Sequence, residues 1–153
     1  MRVSVFAVGK KMPIWVEQAS GEYIKRLPAR WKFNIKEFPP AQGPNSEVVM
    51  AKEAHMIIEA LPEKSHVIAL DNLGICWSTE QAAKQLEKWQ ESGKDLVFVI
   101  GGADGLHPDI RARANQLWSL SPLTFPHPLV RVVLTEQLYR SQSLLENHPY
   151  HRA

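Results

Sequence analysis

The feature that most constrains this chain is the recurrence of short apolar runs rich in β-branched residues, each separated from the next by a stretch with helical signals. Residues 2–8, 32–38, 66–70 and 96–100 read as strands, and the last is apolar throughout. Pro13 suits a first helical position, and Ile14, Trp15, Ala19, Tyr23 and Ile24 form a rough apolar stripe that Pro28 closes. Residues 47–61 carry Val49, Met56, Ile57 and Ala60 on a second helix. Asp71 ends the third strand and Gly74 marks a turn. Ser78-Thr79-Glu80-Gln81 then has capping-box spacing, and the helix it opens buries Ala82, Leu86 and Trp89 before Gly93 stops it. A helix over residues 108–117, a short apolar segment 118–120 and a long helix 128–146 complete the chain. Parallel neighbours need crossovers of about a dozen residues or more, so strands spaced by helices imply a parallel sheet. The fold class is α/β, in a single domain over residues 1–153. PPAQGPNS, residues 39–46, is turn chemistry and reads as a surface loop within that domain.

Composition narrows the function classes. The single cysteine, Cys76, cannot form an internal disulfide, and with no base beside it in sequence it is not expected to be a nucleophile. No Cys/His cluster offers a metal site, and a reduced, cytoplasmic protein is expected. The apolar run Val3–Val8 is too short for a secretion signal or a membrane span. Net charge is +2, yet residues 1–40 hold eight Lys/Arg against three Asp/Glu. Lys10, Lys11, Lys25, Arg26, Arg30, Lys32 and Lys36 could meet phosphates or merely solvate a surface.

Three constellations could carry chemistry. Gly101-Gly102-Ala103-Asp104-Gly105 follows the most apolar strand and precedes a helix, where open α/β sheets place ligands. It is not GxGxxG, lacks the Lys-Ser/Thr of a phosphate loop, and follows the fourth strand rather than the first, which weakens dinucleotide and nucleotide-triphosphate readings. A purely structural glycine turn explains the motif equally well. On the last helix, apolar almost all round through Leu129, Val130, Val132, Val133 and Leu134, Glu136 and Arg140 share a face with Leu129, Val133 and Leu144. That pair either fixes an interface or touches substrate. The chain then closes on Asn147-His148-Pro149-Tyr150-His151-Arg152, a frayed end or a set of groups suited to stacking on a base and holding phosphate.

Val3–Val8 with Gly9, Lys11 and Trp15; Leu70-Asp71 with Gly74 and Ser78; Val97 to Gly102 with Gly105-Leu106; and Leu123 to His127 through Leu129, Arg131, Glu136-Gln137, Tyr139-Arg140 and the closing Pro149-Tyr150-His151-Arg152 form one pattern. Over essentially the whole chain it resembles the ribosomal RNA large subunit methyltransferase H family of the SPOUT class. Ile75 departs from the family, where a Lys is common, and so does the 39–46 loop. The resemblance implies a SPOUT α/β fold with a deep C-terminal trefoil knot, and a homodimer. It also implies S-adenosylmethionine as cofactor and methyl transfer to N3 of a pseudouridine in a hairpin loop of 23S rRNA in the assembled ribosome, with no DNA or membrane partner. Carried over residue by residue, the cofactor set is Leu70, Gly101, Leu120, Ser121, Pro122, Leu123, Thr124 and Phe125. The catalytic set is Arg140, Tyr150, His151 and Arg152, with His127 orienting the knot. Two other classes stay open. One is a non-catalytic ribosome-binding module. The other is a nucleotide-dependent oxidoreductase, which would need a first-strand glycine loop that Gly9-Lys10-Lys11-Met12 does not provide.

Overall fold

The computed structural model describes residues 1–152. Five strands, β1 (Val3–Val8), β2 (Asn34–Phe38), β3 (His66–Cys76), β4 (Leu96–Ile100) and β5 (Gln116–Ser119), alternate with helices α1 (Ile14–Ile24), α2 (Ser46–Ala60), α3 (Thr79–Ser92), α4 (Pro108–Arg113) and α5 (His127–Leu145). All strand pairs are parallel, in the order β2-β1-β4-β3-β5. The central strand β4 is buried at every residue, which is why it is apolar without alternation.

Two apolar layers cover the sheet. On one face Val3, Val5, Trp31, Ile68, Leu86, Trp89, Phe98, Trp118, Leu134 and Leu138 pack together, which places α1, α3 and α5 there. On the other, Phe6, Val8, Phe38, Ala54, Ile57, Val67, Val97, Val99 and Ile110 join the sheet to α2 and α4. Local chemistry sets the helix ends. The Ser78–Gln81 capping box forms in both directions, at 3.1 and 2.8 Å, and Gly93 closes α3 with φ +70°.

Three expectations need correction. The third strand does not stop at Leu70 but shifts register and continues to Cys76 along β5. The turn expected at Gly74 is the end of a bulge: Leu70 and Ile75 both pair with Trp118, residues 71–74 loop out between them, and a Cβ on Gly74 would meet the Leu117 carbonyl carbon at 2.5 Å. The helix expected over 108–117 ends at Arg113, because Asn115 exchanges hydrogen bonds with the Val67 backbone at 2.8 Å and starts β5. The α1 stripe is displaced, with Val16 and Ser20 buried while Ile14 is 72% and Trp15 50% exposed. A third charge also intrudes on α5. Arg131 is buried, and its guanidinium donates to Glu37 at 2.7 Å and to the Gly9 carbonyl at 3.0 Å, tying α5 to the ends of β1 and β2.

Candidate functional site

The C-terminal ends of β3, β4 and β5 open into a cavity of about 740 Å³. Two segments wall it, the 100–106 turn after β4 and residues 118–128 leading into α5. Of the expected cofactor residues, Leu70, Gly101, Leu120, Ser121, Leu123, Thr124 and Phe125 line the cavity, while Pro122 sits in the same segment without forming wall. Phe125, Leu120 and Leu123 supply apolar cover. Leu123, 72% exposed, has its amide held by the Ser121 hydroxyl at 2.9 Å.

Gly101 is required by close approach. A Cβ there would stand 2.7 Å from the Gly105 carbonyl oxygen, since the turn doubles back through a Gly105 amide to Gly102 carbonyl bond of 3.0 Å. Within this turn the positive φ belongs to Gly105, at +87°, and not to Gly101.

The lining of the cavity is poor in free cations. Arg111 is its only arginine or lysine among the described lining residues, and its Nε donates to Asp71 at 2.7 Å. Asp71, with 3% of its side chain exposed, also accepts the Leu73 amide at 2.8 Å. Asp104 adds a second carboxylate. His127 begins α5 in the wall, and burial followed by the Arg131 charge pushes its pKa down, so the imidazole is neutral at pH 7. Two carboxylates, one paired arginine and apolar walls suit a cationic or neutral ligand better than a di- or triphosphate.

The expected catalytic residues form a second cluster at the other end of α5. Arg140 donates through Nε to Glu136 at 2.8 Å, and its guanidinium lies 4.8 Å from the centroid of the Tyr150 ring. Tyr150 packs edge-on against Tyr139 at 4.6 Å and donates its hydroxyl to Glu136 at 3.1 Å. Burial, then a hydrogen bond with Tyr23, hold that phenol far above its usual range, so it stays neutral. His151 Nδ1 accepts from Arg140 at 3.1 Å, which leaves the proton on Nε2 to donate to Glu80 at 3.1 Å. Arg152 is exposed. The tail through His151 is therefore docked rather than frayed. At about 1.5 Å per residue, Arg140 lies roughly 15 Å along α5 from Val130, the last residue of that helix to line the cavity. One chain does not bring the two sets together.

Sequence reasoning missed Glu53, Arg111 and the Arg131 anchor. Glu53 could have been found: it falls four residues after Val49 and four before Ile57, on the apolar stripe of α2, where a carboxylate is out of place. Arg111 carried no signal, since its partner Asp71 is remote in sequence.

A family model described as "Predicted SPOUT methyltransferase" matches residues 1–151. Proteins named ribosomal RNA large subunit methyltransferase H are similar over nearly their whole length. The one from Hahella chejuensis is 50% identical over 99% of both chains, and the one from Burkholderia cenocepacia 47% over 100% of both. Among solved structures, a probable methylase family protein from Haemophilus influenzae superposes with a TM-score of 0.62 at 9% identity, covering 99% of this chain and 70% of that one. A probable methyltransferase from Bordetella pertussis gives 0.58 at 14% identity, over 92% and 95%. These structural likenesses bear on the fold alone. Sequence match and cavity together lead to one conclusion: the chain belongs to the SPOUT methyltransferase family, in its ribosomal RNA large subunit methyltransferase H branch.

Proposed function

We propose that this protein is a homodimeric, S-adenosylmethionine-dependent methyltransferase of the cytoplasm. Its substrate is N3 of a pseudouridine in a hairpin loop of 23S rRNA, in the assembled ribosome. The observation that carries the reading is the cavity, with a glycine turn that lets backbone approach a ligand, apolar cover, and acidic lining without a free cation. The cofactor, when bound, supplies an electrophilic sulfonium methyl. Leu70, the Gly101 turn and residues 120–125 hold its adenosine, with backbone groups reading the base edge and Leu120, Leu123 and Phe125 covering its faces. The knot implied by the family belongs to this proposal. In its favour, the segments that would cross, 101–106 and 119–127, line one cavity.

The gap of roughly 15 Å along α5 supports a role for a second copy. In this reading α5 of one subunit runs antiparallel to α5 of the other, and Arg140, Tyr150, His151 and Arg152 of each tail meet the partner's cofactor. Leu129, Val130, Val132 and Val133 are left half-buried on a helix whose Leu134 and Leu138 already fill the core, and they provide the apolar contact. At that composite site Arg140 and Arg152 stabilise the anion formed as N3 loses its proton, Tyr150 stacks on the base, and His151 carries the proton away.

The test has two stages. Calorimetric titration with S-adenosylmethionine should give saturable binding. Incubation with ribosomes from a strain lacking the enzyme should transfer labelled methyl to 23S rRNA at a pseudouridine. Binding without transfer to any rRNA would sink the substrate assignment, and absence of binding would sink the cofactor.

A further inference from the structure

Glu53 on α2 is 6% exposed, and neither the packing of the helix nor the proposed chemistry uses its charge. A carboxylate taken out of water is ordinarily paired with a cation. Among the described residues Glu53 has no ion-pair partner. Lys52 is turned to the Gln42 carbonyl at 2.8 Å, His55 to Glu59 at 3.1 Å, Arg111 of α4 to Asp71, and Arg131 to Glu37 of β2. The Ala41 amide donates to Oε2 at 3.2 Å, and the charge acting on the group is that of Asp104, of the same sign. Burial pushes the carboxyl pKa up, the Ala41 amide draws it down, and Asp104 adds to the rise.

Its position suggests what it is for. A Cβ on Gly102 would lie 3.2 Å from Glu53 Oε1 and 3.5 Å from Oε2, and Gly102 is part of the cavity wall. The backbone of Gly102, which carries no side chain, stands between the carboxylate and the ligand space.

We propose that Glu53, with Asp104 beside it on the turn, is a specificity-determining charge that makes the cavity prefer S-adenosylmethionine to S-adenosylhomocysteine. The inference rests on the cofactor assigned above. In methyl transfer the sulfur–methyl bond breaks, sulfur keeps the electron pair, the methyl carbon bonds to N3, and the N3 proton leaves to solvent. The ligand thereby loses one methyl and one positive charge while its shape hardly changes. A hydrophobic pocket distinguishes such a pair poorly. A fixed negative charge behind a low-dielectric wall distinguishes it well, favouring entry of the cationic donor and exit of the uncharged-sulfur product. Because a cationic ligand favours ionised Glu53, donor affinity should also rise with pH through the Glu53 titration, while product affinity follows it weakly.

The test is calorimetric titration of the full-length protein with each ligand separately, at pH 7.5, for wild type, Glu53→Gln and Asp104→Asn. Glutamine keeps an oxygen to accept the Ala41 amide and nearly the same volume while deleting the charge. Glu53→Gln should weaken S-adenosylmethionine about five- to tenfold and leave S-adenosylhomocysteine within about twofold; Asp104→Asn should shift the ratio the same way by less. Equal loss for both ligands means a structural role and overturns the proposal, as does an unchanged ratio. Asp104 is exposed, so its variant carries the test alone should Glu53→Gln fail to fold. A wild-type protein that binds neither ligand removes the cofactor assignment itself, a result distinct from an unchanged ratio.

Discussion

At one end of α5 the chain builds a cavity largely from backbone, and at the other it gathers a cluster of side chains. Around the cavity the specific features are close approaches, as at Gly101, and short turns locked by single hydrogen bonds. Around the tail they are Arg140, Glu136, Tyr150, His151 and Glu80, joined by bonds of 2.8 to 3.1 Å. A backbone-built site tolerates almost no added volume yet is ready before its ligand arrives. A side-chain cluster tolerates substitution better, but its groups are already satisfied within the chain, and Arg140 must exchange or share Glu136 to act on anything else. The two ends therefore answer differently to mutation.

The sharpest separation should come from Gly101→Val. Its side chain has no room beside the Gly105 carbonyl, so the turn must open, and S-adenosylmethionine affinity should fall by about a hundredfold or more in calorimetry, with native circular dichroism. Undiminished affinity would mean that the glycine turn is not the cofactor site. Truncation after Asn147 should do the converse, lowering methyl transfer to ribosomes by about a hundredfold while leaving cofactor affinity within about twofold. Full-rate transfer by the truncated protein would move the substrate contacts to the basic residues before position 40. Val133→Asp probes what joins the two ends. It places a carboxylate on the half-buried apolar face of α5, and light scattering should report monomers or aggregates. A soluble dimer of unchanged mass would place the interface elsewhere.

The smallest effect concerns the charge beneath the turn. Burial raises the folded-state pKa of Glu53 above its unfolded value, so ionisation costs stability that is absent in acid and accrues as pH climbs from the unfolded through the folded pKa. Glu53→Gln escapes that cost. Its melting temperature should match wild type near pH 3.5 and exceed it by about 2–4 °C at pH 7 and above. A constant difference across pH would show that the carboxyl is not strained by burial.

The legible parts of this molecule were those written in local signals. The cores of the strand runs, the Ser78 capping box and the Gly93 stop are short-range chemistry, and each stands where the sequence places it, although β2 starts later and β3 runs on further than expected. Of the eight residues carried over from the family resemblance as a cofactor set, seven line one cavity, Pro122 being the exception. What stayed hidden depends on partners distant in the chain. The β3 extension exists because Gly74 passes over Leu117, and α4 stops early because Asn115 pairs with Val67. Arg131 finds Glu37 and Gly9 far along the chain. The separation of tail and cavity along α5 was beyond any motif, since a motif states which residues a site needs and not which copy supplies them.

That separation is the centre of the account, and complementation tests it most directly. Gly101→Val has an intact tail and no cofactor site, while the Asn147 truncation has an intact cofactor site and no tail. Each alone should be inactive on ribosomes. Mixed in equal amounts and allowed to exchange subunits, half of the dimers pair one of each, and every such dimer holds one complete site. The mixture should therefore recover about a quarter of the wild-type rate per subunit. A mixture as inactive as its components, with subunit exchange verified by mass, would contradict the account and return each tail to its own chain's cavity.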